Sequence, residues 1–237
     1  MKLVRESIHF QKGVDPKTSL DIGRRALIDK WFKTWAPRVK YEVDDNLNIT
    51  VKGFLYLKDS QVKELPDNLT IDGDLNLSNT PIKKLPDNLI VNGYLDLSNT
   101  SIEKIPKGLI VSGNLYLEET PIKEIKDNIH IYGNIYLKGS KIEKLPDNLT
   151  VNGYLNLSNT PIKELPENIN VKGSLYLSYS SIESLPDNMV IDMDLYLNDT
   201  HIKELPENLN VKGDLYLNEI IKEIPKSTKI GGKIIYQ

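Results

Sequence analysis

From about Asn48 onward the chain repeats itself every twenty residues, and no other property restricts its fold so severely. One unit reads Leu145-Pro146-Asp147-Asn148-Leu149-Thr150-Val151-Asn152-Gly153-Tyr154-Leu155-Asn156-Leu157-Ser158-Asn159-Thr160-Pro161-Ile162-Lys163-Glu164, and the next opens at Leu165-Pro166. A fixed period of this length means small units stacked on one another, without a single central core. Residues at the places of Leu149, Val151, Leu155, Leu157, Ile162 and Leu165 are aliphatic in nearly every unit and must point inward. Burying one such side chain contributes roughly 1.5–3 kcal/mol. Ordering a backbone costs about 1–2 kcal/mol per residue, so one coil cannot stand alone and needs a neighbour on each side.

Alternation through Leu149, Val151, Gly153, Leu155 and Leu157 has period two, the pattern of extended chain. Successive coils should therefore pair their strands in parallel. Ten segments, from Phe54-Leu55-Tyr56-Leu57 to Lys233-Ile234-Ile235-Tyr236, then build a ladder on the order of 45 Å long at ~4.8 Å per strand. The expected fold is mainly β: a parallel β-solenoid of about nine to ten twenty-residue coils with an N-terminal α-helical cap. The cap is assigned to residues 1–44 and the solenoid to residues 45–237.

Charge and aromatic usage support that division. Residues 1–40 hold ten Lys and Arg against four Asp and Glu, although the whole chain is only −3. The same stretch holds Trp31 and Trp35, both of the chain's tryptophans, together with Phe10 and Phe32. Leu27, Ile28, Trp31, Phe32 and Trp35 are spaced as one apolar stripe of a helix, with Pro37 as its stop, Gly23 loosening its start and Asp15-Pro16 as an earlier helix entry. Such a stripe seals the open end of a stack.

Three polar columns have structural readings. The Asn column (Asn48, Asn68, Asn88, Asn128, Asn148, Asn168, Asn188, Asn208) is replaced once by Gly108, which points to a left-handed backbone. The hydroxyl column (Ser60, Thr80, Thr100, Thr120, Ser140, Thr160, Ser180, Thr200) sits where the chain leaves the strand and can satisfy bent-out peptide groups. The glycine column tolerates Met193, which argues for close packing over left-handed backbone and predicts a locally distorted coil there.

The run Leu155-x-Leu157-x-x-Thr160-x-Ile162-x-x-Leu165-Pro166 resembles the leucine-rich repeat, in its short twenty-residue bacterial form. The resemblance spans residues 45–236. Ser or Thr stands in place of that family's ladder Asn, and Asn152 in place of its leading Leu, so a flatter solenoid with a second short strand near Leu149–Val151 is an alternative to a curved horseshoe. Family resemblance implies a binding scaffold that recognises other proteins on its strand face. The opening Met1-Lys2-Leu3-Val4-Arg5-Glu6 segment resembles leaders on uncharacterised proteins of gut bacteria and their phages.

Catalytic constellations are not legible. Zero cysteines remove thiol nucleophiles and Cys-based metal sites, including the cysteine-centred ligase activity of some bacterial leucine-rich-repeat proteins. His9, His130 and His201 occupy unrelated coil positions, and no glycine-rich phosphate loop is present. The expectation is a non-enzyme with no cofactor and no metal. No run nears the ~20 apolar residues of a membrane helix, no apolar signal core follows Met1, and a cytoplasmic protein is expected. The lack of a basic stripe disfavours nucleic acid.

What remains is the outward strand face. Its sites read Tyr56, Asn76, Asp96, Tyr116, Tyr136, Asn156, Tyr176, Tyr196 and Tyr216, flanked two residues earlier by Phe54, Asp74, Tyr94, Asn114, Asn134, Tyr154, Ser174, Asp194 and Asp214. Phe54, Tyr56, Tyr94, Tyr116, Tyr136, Tyr154, Tyr176, Tyr196 and Tyr216 are the candidate partner-binding residues, since tyrosine among Asn and Ser is the composition of binding loops. Stacking between coils is the competing reading, under which the column stabilises the ladder. The expected partner is another protein; a glycan, or a structural role such as a virion component, is the alternative. A monomer is expected, with an end-to-end homodimer through the Lys233–Tyr236 strand as the alternative, because Lys226, Lys229 and Lys233 guard that edge.

Overall fold

The computed structural model describes residues 16–126 and 129–237. They form a parallel β-solenoid with one helix, α1 (Pro16–Trp35), at the N-terminal end. Each coil gives two strands of two or three residues, as in β2 (Ile49–Val51) and β3 (Leu55–Tyr56). The tyrosine-bearing strands make one ten-stranded parallel sheet running without interruption from β3 to Ile234–Tyr236. Registers advance by one whole period, Leu95 to Leu115 and Leu155 to Leu175, until the last step. There Leu215 faces Ile234, one residue short, absorbing the deletion at Glu219-Ile220-Ile221. The second short strand anticipated near Leu149–Val151 exists in every coil, so the coil has two strand rows joined at the glycine bend.

Four of the six inward positions, those of Val151, Leu155, Leu157 and Ile162, are buried throughout the full repeats, while the other two are only half-buried at Ile105, Ile129 and Ile169. At the N-terminal end the core is closed by two devices. Strand β1 (Tyr41–Val43) pairs antiparallel with β2 and covers that sheet's edge. Helix α1 adds Phe32, buried and stacked at 3.9 Å on Tyr41, while the Trp31 indole donates to the Glu64 carbonyl at 3.0 Å. The helix is longer than the stripe implied: Pro16 starts it and Gly23 lies inside it. Leu27 is 41% exposed and is no part of the seal; Ile28, Trp31 and Trp35 pack against the core, and Ala36 just beyond the helix joins it.

The Asn column is left-handed at Asn68, Asn88, Asn148, Asn188, Asn208 and Gly108, each with φ between 56° and 70°. Asn128 lies outside the described residues. Asn48 departs from the expectation, Leu47 taking the left-handed position instead, because the Asp44 carboxylate accepts the amides of Asn46 and Asn48 and reorganises the first turn. Asn168 also departs, its turn closing through the Ile169 amide to the Pro166 carbonyl; nothing in the sequence explains this, since Asn208 shares its Pro-Glu-Asn context. A second left-handed column, unforeseen, runs through Asp59, Asn79, Asn99, Glu119, Gly139, Asn159, Tyr179 and Asp199. Glu119 and Tyr179 obscured the Asn/Asp/Gly signature there.

The glycine column is a close approach, as Met193 implied: only Gly53 has positive φ. A Cβ on Gly133 would meet the Gly113 carbonyl oxygen at 2.6 Å, and one on Gly113 the Gly93 oxygen at 2.8 Å. The gap is filled by amide-to-carbonyl bonds from glycine to glycine, such as Gly93 to Gly73 at 2.9 Å. Met193 keeps the bond onward to Gly213 and lacks the one back to Gly173, but Gly153 and Gly173 lack theirs as well, so the missing bond is not particular to Met; what is particular is that its side chain turns to solvent.

The second strand row is split between His130–Ile131 and Thr150–Val151. The split falls in the coil that carries Lys126 where its neighbours carry Pro, and it opens a cleft of about 330 Å³ beside Ile129, Tyr132 and Pro146.

The hydroxyl column behaves as expected where it is threonine. Thr80, Thr100, Thr120, Thr160 and Thr200 donate to the carbonyl three residues back at 2.6–2.8 Å. Ser140 and Ser180 occupy the same buried place, yet their hydroxyls have no partner. The threonine methyl restricts the rotor that serine leaves free. Ser140→Thr and Ser180→Thr should each stabilise the fold by about 0.5–1.5 kcal/mol, read as a higher urea midpoint with unchanged slope; a lowered midpoint would show that the site has no room for the methyl.

Candidate partner-binding face

The tyrosine column lies on the ten-stranded sheet between buried aliphatic residues, so its side chains emerge on the solvent side. Register brings like to like: Tyr116 faces Tyr136, Tyr176 faces Tyr196, and Tyr196 faces Tyr216. These rings lie parallel, with centroids 4.8, 4.5 and 4.3 Å apart. Their faces are thus occupied by one another, and edges and hydroxyls face the solvent. Of the nine aromatics only Phe54 and Tyr56, at 57% and 56%, are largely exposed, and they stack on each other at 5.6 Å; the rest are half-buried. The column therefore stiffens the ladder as well as lining the face, and the two readings of it are not exclusive.

The flanking column behaves differently. Its polar members reach one coil onward and accept a backbone amide: Asp74 from Tyr94, Asn114 from Asn134, Asn134 from Tyr154, Ser174 from Asp194, Asp194 from Asp214 and Asp214 from Lys233, at 2.7–3.2 Å. This is a side-chain ladder parallel to the backbone one. Sequence reading placed these residues with the recognition surface and missed their structural work, because a column mixing Asp, Asn, Ser and aromatics carries no obvious periodic signature. The ladder also explains the glycines, since a Cβ on Gly93, Gly153 or Gly213 would strike the Asp74, Asn134 or Asp194 oxygen. Met193 is tolerated above Ser174, the shortest acceptor of the series.

Phe54, Tyr94 and Tyr154 supply no acceptor, and among the described residues the amides of Asp74, Asn114 and Ser174 above them have no hydrogen-bond partner. Tyr94 and Tyr154 instead meet Tyr116 and Tyr176 edge to face, at 90° and 85°.

Between Phe54 and Asn218 the face carries Asp74, Asp96, Glu118, Asp194 and Asp214 against Lys58 and Lys138. Burial, with Asp96 nearby, raises the Glu118 carboxyl above its ordinary range. A hydrogen bond with Tyr94, with desolvation next, pushes the Tyr56 phenol up to about 12. Desolvation within the stack raises Tyr136 and Tyr196 likewise. Elsewhere the charged columns pair across coils, Lys163 with Glu183 at 2.8 Å and Lys212 with Asp192 at 2.6 Å, which is the behaviour of a solvated surface. His130 and His201 stand apart and exposed, and His9 lies outside the described residues. No group of three or more metal-ligating side chains occurs among the described residues, and no described helix is long and apolar enough to cross a membrane.

Comparison with known protein families and with curated proteins finds nothing that matches this sequence.

The raised phenols set a pH dependence. A phenol whose folded-state pKa exceeds the unfolded value near 10 favours the folded state below that value and loses this contribution as pH climbs through the folded value. The melting temperature should hold to about pH 10 and fall toward pH 12, and Tyr196→Phe should shallow that fall; an alkaline slope unaltered by Tyr196→Phe would contradict coupling between the stack and stability.

Proposed function

We propose that the chain is a non-enzymatic, leucine-rich-repeat-type scaffold that binds another protein on its tyrosine-rich strand face. The single observation that carries this reading is the set of three aromatics, Phe54, Tyr94 and Tyr154, standing where a polar residue would complete the side-chain ladder. Folding alone favours Asp or Asn at those places. Leaving a backbone amide unpaired costs about 1–3 kcal/mol where water cannot replace the bond, and an aromatic kept against that cost fits a role in recognition. The repeat period, the buried Leu and Ile positions and the ten-stranded face support the leucine-rich reading, with the scaffold role following from it.

A glycan is a weaker fit. Sugar recognition stacks a pyranose on an open ring face, whereas the continuous part of this column has its faces closed at 4.3–4.8 Å. Hydroxyl groups and ring edges in a rigid row suit the polar, adaptable contacts of a protein surface better.

Ser158→Arg with Ser178→Arg obstructs the face beside the stack without touching a ring. Panning the full chain against a displayed library of random dodecapeptides, alongside a glycan array, should yield peptide binders that this double variant no longer holds. Glycan binding without peptide binding, or peptide binding indifferent to the obstruction, contradicts the proposal.

A further inference from the structure

Resting on the protein-binding reading, we infer that Phe54, Tyr94 and Tyr154 are the anchors of the face and that their occupant is an extended, positively charged segment of another protein. The nine aromatics divide by what each does for the fold. Tyr116, Tyr136, Tyr176, Tyr196 and Tyr216 stack in register and contribute to the ladder, and Tyr56 stacks on Phe54. The three anchors take something away, because an Asp, Asn or Ser in each of the other six coils of the same column accepts the amide that they leave free. The Ser174 side chain above Tyr154 is only 2% exposed, so that region of the coil is shielded from water.

Geometry fixes the length of the occupant. The anchors are two and then three coils apart, about 10 Å and about 14 Å at the strand spacing. An extended chain advances about 3.3–3.6 Å per residue, so roughly seven residues laid across the strands reach all three. Charge fixes its sign. Each Asp of the flanking column uses one oxygen in the ladder; the second accepts the Tyr56 hydroxyl at Asp74 and the Tyr196 hydroxyl at Asp194, at 3.4 and 3.5 Å, so both carboxylates stay charged at the surface, and the face holds five carboxylates against two lysines. Opposite charge across an interface steers encounter and selects partners, which points to Lys or Arg between the residues that meet the rings. Arg fits best, its planar guanidinium packing against the aromatic anchors' exposed edges while pairing with a carboxylate.

Tyr154→Asn and Tyr94→Asn separate this role from a structural one, because each supplies the missing acceptor while removing the ring. Probes are the dodecapeptides selected on the wild-type chain, with affinity read by fluorescence anisotropy and stability by thermal unfolding. The selected peptides should be enriched in Lys and Arg and should weaken at least several-fold as salt rises from 50 to 300 mM, on the order of the screening at those strengths. Each Asn variant should bind about tenfold or more weakly with a melting temperature that holds or rises, and Tyr154→Phe should keep both properties. A melting temperature that falls in the Asn variants, or unchanged affinity, overturns the anchor assignment. Neutral or acidic selected peptides lost on obstructing the face overturn the cationic occupant and leave the protein-binding reading intact, whereas the absence of any peptide binder removes both.

Discussion

Every feature of this molecule depends on coils stacking in exact register one strand apart. A residue's nearest neighbour across the interface belongs to its own column, so the sequence must choose residue types compatible with copies of themselves. Leucine on leucine is the simple case, and the buried Leu95, Leu115, Ile135, Leu155 and Leu175 line follows from it. One charged column solves the problem by alternation from its second coil onward: Lys83, Glu103, Lys123, Glu143, Lys163, Glu183 and Lys203 change sign at each coil, and the Lys123–Glu143 and Lys163–Glu183 contacts are the outcome. Like charges in register would repel instead. Glycine appears where two backbones come closest, since a Cβ at Gly73, Gly93, Gly113, Gly133, Gly173 or Gly213 meets the backbone carbonyl group of the coil below.

The period made the architecture legible. Inward aliphatic positions, two strand segments per coil, the left-handed Asn turns and the threonine hydroxyl bonds all follow from twenty-residue self-similarity joined to local chemistry. Less was legible where a column mixes residue types. The flanking column mixes acceptors with aromatics in no regular order, so its ladder is legible only where each side chain reaches the next coil's amide. Leu27 fitted the helix stripe by spacing, but the stripe is wider than the surface it covers, and the end of a stack is too small to bury all of it. Lys126 in place of Pro gave no warning that the second strand row would part between Ile131 and Val151.

Stability and recognition share the strand face but divide it between two columns. Parallel tyrosine rings less than 5 Å apart rigidify the surface, which lowers the entropy cost of binding to it. Phe54, Tyr94 and Tyr154 occupy sites that the fold would give to Asp or Asn, and they sit beside the stacks, where a rigid neighbour holds each ring. Local disagreement with the rule obeyed by the rest of a column is where function is best sought in a repeat protein.

Amide hydrogen exchange in the native state reads that division directly. The amides of Tyr94, Asn134, Tyr154, Asp194, Asp214 and Lys233 are held by the side chain of the coil before, and those of Asp74, Asn114 and Ser174 are not. The account predicts that the three unheld amides exchange about tenfold or more faster than the six held ones, Ser174 included although it is the most buried of the nine residues. Equal protection across all nine would mean that the aromatics displace no bond, and the central claim would fail.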